Sequence, residues 1–127
     1  MRIATLVAAA LGITAVVVLG PVLAALAAVL GLLGSILHEA LHYIAAVAVG
    51  VDDVTVGWDA IGPYVEYAGE MRATIQLAPA LVAFTLAAWL TVTTGFPSGT
   101  TSSVLVGSFL LGLHSLSPTD YQPLYPS

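Results

Sequence analysis

The chain has 127 residues, 59% of them hydrophobic and 7% charged, with a mean hydropathy of +1.04 and no cysteine. Globular domains usually carry about 45–50% apolar and about 25% charged residues, so the composition argues against a water-soluble domain and for one membrane-embedded domain over residues 1–127. Seven acids against Arg2 and Arg72 argue against nucleic acid as a partner, and without thiols a bound metal falls to His, Asp or Glu.

Ile3 to Leu19 is a nearly unbroken apolar run, at the short end of what crosses a hydrocarbon core about 30 Å thick. Gly20-Pro21 breaks it and a second run, Val22 to Val51, follows, which predicts two helices in a tight antiparallel hairpin. A cleaved signal peptide is the rival reading of the first run, with Arg2 as its basic end and Ala24 to Ala28 as the small residues of a cleavage site. A single basic residue before so long an apolar core favours a membrane anchor.

Most of the acids fall between Asp52 and Glu70. There Val54 and Val56 alternate with polar residues, Asp59 to Pro63 supplies turn residues, and Tyr64-Val65-Glu66-Tyr67 alternates again. This pattern fits a short β-hairpin or an irregular polar loop. A third apolar run extends from Ala73 to Thr94-Gly95 with Pro79 near its start, where proline removes one backbone hydrogen bond and leaves a carbonyl for a neighbour or water to satisfy. Gly95 to Gly99 is a turn, and Ser102 or Ser103 is placed to cap a fourth span from Val104 to about Leu116.

The expected fold is thus an all-α integral membrane protein with about four transmembrane helices and a short β-hairpin or polar loop between the second and third. Four crossings put both termini, and both Arg2 and Arg72, on one side, which the positive-inside rule makes the cytoplasmic side of the cell membrane. Gly31, Gly34 and Ser35, with Ala24, Ala28, Ala45, Ala46 and Ala48, favour close helix approach around the second span.

That span carries His38-Glu39-Ala40-Leu41-His42, an H-E-x-x-H pattern. Residues four apart share one helical face, so both imidazoles reach a single Zn²⁺, and Glu39 beside them is the expected general base. An acidic side chain at the centre of a membrane helix costs about 2.5–3.5 kcal/mol on insertion scales, so Glu39 needs polar or metal partners. A catalytic zinc takes three protein ligands and leaves one position for water. Asp120 is the preferred third ligand, since Pro118 opens the helix end and lets a carboxylate turn back toward the bundle; His114 is the fallback. Asp52, Asp53, Asp59, Glu66 and Glu70 read as a solvated surface.

H-E-x-x-H in an early span, a polar insert, a proline-containing third span and a late aspartate together resemble the site-2 protease family of intramembrane zinc metalloproteases and the small membrane zincins related to it. Leu77-Ala78-Pro79-Ala80-Leu81 is similar to that family's small-residue-plus-proline stretch, and Ser117-Pro118-Thr119-Asp120 to its aspartate motif. The chain departs from the family where Tyr121 follows Asp120 in place of glycine, and in having no asparagine. The resemblance implies hydrolysis of peptide bonds in or near transmembrane segments of membrane protein substrates, with the lipid bilayer as environment and zinc as cofactor. It leaves substrate and oligomeric state open.

The competing reading is a non-catalytic zinc-binding scaffold or chaperone-like protein of the same fold; the presence of Glu39 argues against it, because a structural site needs no base. A di-iron desaturase or hydroxylase requires more histidine clusters than three histidines supply. A zinc transporter requires a polar route that the spans do not offer.

Overall fold

The computed structural model describes residues 3–59, 62–69 and 72–114. Four helices and one hairpin follow in the order α1 (Ile3–Leu19), α2 (Pro21–Ala48), β1 (Val54–Asp59), β2 (Gly62–Tyr67), α3 (Ala73–Thr94) and α4 (Thr100–His114). Gly20 takes a positive φ of 83° at the first break, and Pro21 opens α2, where a missing N–H costs nothing because the first helical N–H groups have no partner within the helix. At its other end α2 closes in a Schellman motif. Gly50 sits at positive φ, its N–H donates to the Val47 carbonyl, and the Val51 N–H donates to the Ala46 carbonyl.

α2 is the axis of the molecule, packing on α1, both strands, α3 and, most extensively, α4. The α2–α4 crossing is set by glycines. A Cβ on Gly34 would collide with the Phe109 carbonyl oxygen and lie 2.7 Å from the Leu113 nitrogen, and one on Gly112 would collide with the Gly31 carbonyl oxygen. Only hydrogen fits at these points, so the two backbones touch, as the small-residue pattern around the motif leads one to expect.

The alternating segment is a hairpin: β1 and β2 pair antiparallel from Val54↔Tyr67 to Asp59↔Gly62. Tyr64 lies across Gly57 on the facing strand and fills the place of its missing side chain. Tyr67 then ties the hairpin to α3, accepting the Arg72 backbone N–H at 3.1 Å and donating its hydroxyl to Gln76 Oε1 at 3.3 Å.

α4 starts earlier than expected. It begins at Thr100, the Ser103 N–H donates to the Gly99 carbonyl, and Ser102 lies inside the helix with its hydroxyl turned back onto the Ser98 carbonyl at 2.8 Å. A serine hydroxyl serves either as a cap or as a back-bonding group within a helix, and here the second geometry prevails.

The expectation of four spans is met in helix number and not in span length. α2 and α3, at 28 and 22 residues, are long and apolar enough to cross a bilayer. Over the described residues α1 and α4 run for 17 and 15 residues, and at about 1.5 Å per residue those lengths are less than a core about 30 Å thick. The apolar stretches of α2 and α3 are only 11% and 28% buried within the fold, unlike core helices of a soluble protein. Their outer faces expose Val22, Leu26, Val29, Ile44, Leu81, Phe84, Trp89 and Val92. The polar groups point the other way: His38, His42 and Gln76 are buried.

Candidate metal centre

His38 and His42 stand one helical turn apart on the face of α2 that meets α3 and α4, and they are 2% and 5% exposed. Each ring is held by a backbone carbonyl from a different helix. His38 Nδ1–H donates to the Leu113 carbonyl of α4 at 2.7 Å, and His42 Nδ1–H donates to the Ile75 carbonyl of α3 at 2.8 Å. A carbonyl oxygen only accepts, so the proton of each neutral ring belongs on Nδ1 and Nε2 is left with its lone pair.

Those two Nε2 atoms face one another across 3.1 Å, with the ring planes at 84°. At that separation the two nitrogens can share a proton or ligate one metal ion. Two Zn–N bonds of about 2.0–2.1 Å at a tetrahedral angle place their nitrogens about 3.3–3.4 Å apart, so the observed separation needs only a small adjustment. A ligating histidine that donates its other N–H to a backbone carbonyl is also the usual outer-shell arrangement of metal sites. The donor set therefore fits a zinc ion.

Glu39 completes the group. One of its carboxylate oxygens is 4.0 Å from His38 Nε2, and its side chain is 23% exposed where both histidines are buried. Ligand atoms of His38, Glu39 and His42 all lie within 4.8 Å of one another. The site is thus dry on the imidazole side and reachable on the carboxylate side.

His114 is not a member of that group. One residue beyond Leu113, its ring packs edge-on against Phe84 with centroids 5.1 Å apart, in a groove between α3 and α4 lined also by Ala83, Phe96 and Leu110. Asp52, Asp53 and Glu66 are exposed, as expected for a solvated surface. The Asp59 side chain and all of Glu70 lie outside the described residues, and so does Asp120, the preferred third ligand.

The sequence reading passed over Gln76, which is buried beside the residue whose carbonyl holds His42. A signal was present, since it is the one amide in α3, whose other polar side chains are all threonines, and polar groups inside such spans mark function or partner contacts. The Ile75 and Leu113 carbonyls had no such signal, because backbone acceptors are common to every residue type.

No protein-family model matches the chain, and no curated protein or solved structure shows significant similarity to it.

Proposed function

We propose that the chain is an intramembrane zinc metalloprotease of site-2 protease type, hydrolysing peptide bonds in or near the transmembrane segments of other membrane proteins. One observation carries this reading: two imidazoles locked by their Nδ1–H groups present Nε2 atoms 3.1 Å apart, with the Glu39 carboxylate beside them. A structural metal site uses the histidines alone; the added carboxylate, partly open to solvent, suits hydrolysis.

In this mechanism His38 and His42 hold the metal through Nε2, and Asp120, seven residues beyond Leu113 in the sequence, is the proposed third protein ligand. Zinc bound there supplies a Lewis acid that acidifies water and polarises a carbonyl. Glu39 takes the proton of the attacking water on a carboxylate oxygen and passes it to the departing amine. Burial of both rings keeps bulk water from their donor atoms, and the exposed apolar faces of α2 and α3 support a site within the bilayer, where membrane-embedded substrates would reside.

The test is metal analysis of the detergent-purified protein together with proteolysis of a membrane-embedded substrate. Wild type should hold about one zinc per chain. Glu39→Gln should keep the metal and lose cleavage, and His38→Ala should lose both. Equal zinc in wild type and His38→Ala would remove the metalloenzyme reading. Full zinc without cleavage by the wild-type chain would return the protein to the scaffold class.

A further inference from the structure

Each histidine is held by a backbone carbonyl of a neighbouring helix, and the two carbonyls stand at different places in their helices. Leu113 stands one residue before the end of the described α4. Ile75, in contrast, is the third residue of α3, where the ladder should claim its carbonyl for the N–H of the residue four positions on. That residue is Pro79, which has no N–H.

We propose that Pro79 is a positioning residue for the metal site, acting through the group it lacks. With no N–H at position 79, the Ile75 carbonyl is left for His42 Nδ1–H, and this bond at 2.8 Å turns Nε2 of the ring toward His38. The inference rests on His38 and His42 being metal ligands.

Packing supports the assignment. The largest side chains buried to under 2% are Ile75, Leu113, His38 and Pro79, so the tightest part of the core is built from one ligand, the two residues that anchor the ligands, and the proline itself. A proline retained only to bend a membrane helix has no need to sit four residues after the anchor of a metal ligand. Restoring an N–H at this position would pit an intrahelical bond against the His42 bond for the same oxygen, and the ring would be free to turn about its χ2 bond.

The experiment compares zinc affinity of wild type and Pro79→Ala in detergent by competition with a chromophoric chelator. Histidine tautomers are read in the same samples by ¹⁵N NMR. Because alanine is the better helix former, Pro79→Ala should keep or raise helix content while zinc affinity falls about 10- to 100-fold, the usual effect of losing an outer-shell partner, and His42 should lose its uniform Nδ1–H form. Unchanged affinity in a folded Pro79→Ala would overturn the proposal and leave the protease reading intact. The wild-type protein provides a check that needs no substitution: a proton on His42 Nδ1 and zinc on Nε2 are expected, and zinc on Nδ1 of His42 would overturn the proposal. Wild type that binds no zinc would overturn this inference and the protease reading together.

Discussion

His42 and His38 face one another through Nε2 at 3.1 Å while each gives its other nitrogen to a different helix: α3 holds one ring through the Ile75 carbonyl and α4 the other through the Leu113 carbonyl. The site is therefore a junction of three helices although both histidines come from one. Anything that moves α3 or α4 against α2 should be felt by the metal, and metal should in turn hold the three together.

Metal binding should stabilise the bundle measurably. A ligand present at 100 times its Kd and bound only by the folded state adds about 2.7 kcal/mol. Thermal unfolding in detergent should shift upward on adding zinc to wild type, and the shift should vanish in His42→Ala. A zinc-induced shift of equal size in that variant would place the stabilising ion elsewhere.

The α2–α4 contact gives a second handle. Replacing Gly112 by Ala gains at most about 1 kcal/mol of helix propensity, but the new methyl meets the Gly31 carbonyl oxygen, a backbone atom that cannot swing aside. Overpacking costs about 1–3 kcal/mol, so the net effect should be destabilising, and the separated helices should pull the Leu113 carbonyl from His38. Gly107→Ala, with open space around its Cβ position, is the matched control and should be neutral or slightly stabilising.

How far the sequence alone could reach is decided by the range of each interaction. The H-E-x-x-H face is local geometry, and four-residue spacing on a helix is enough to bring His38 and His42 together. The alternation of Val54 and Val56, and of Tyr64-Val65-Glu66-Tyr67, admitted a hairpin or an irregular loop, and the pairing from Val54↔Tyr67 to Asp59↔Gly62 shows the hairpin. The anchoring carbonyls were beyond reach, because Leu113 and Ile75 lie 75 and 33 residues from their histidines and contribute only backbone. Pro79 was visible as the source of a freed acceptor, but the group that takes it depends on how α3 packs against α2. Four spans are not supported because hydropathy locates an apolar run without making it long enough to cross: α1 covers the same 17 residues as its run.

The hairpin anchor should matter for fold more than for metal. Tyr67→Phe removes the oxygen that accepts from Arg72 N–H and donates to Gln76, and a net loss of about 0.5–1.5 kcal/mol is expected for a hydrogen bond of this kind. Zinc affinity should stay within about threefold of wild type, well short of the 10- to 100-fold cost of removing an outer-shell partner. A loss of zinc as large as that of His38→Ala would mean that the hairpin reaches the ligands directly.

The third ligand separates most sharply between Asp120 and His114. His114 packs on Phe84 and stands outside the group formed by His38, Glu39 and His42, so His114→Ala should keep zinc and cost only the packing of one ring. On the proposed ligand set Asp120→Ala would remove a charged donor, and a site reduced to two imidazoles and the base carboxylate should bind zinc at least 100-fold more weakly, a larger loss than the 10- to 100-fold typical of an outer-shell partner. Chelator competition on the two variants decides between them. Full affinity in Asp120→Ala with loss in His114→Ala would require α4 to rotate, carrying the Leu113 carbonyl off His38, so the same result should also abolish the Nδ1–H form of that ring.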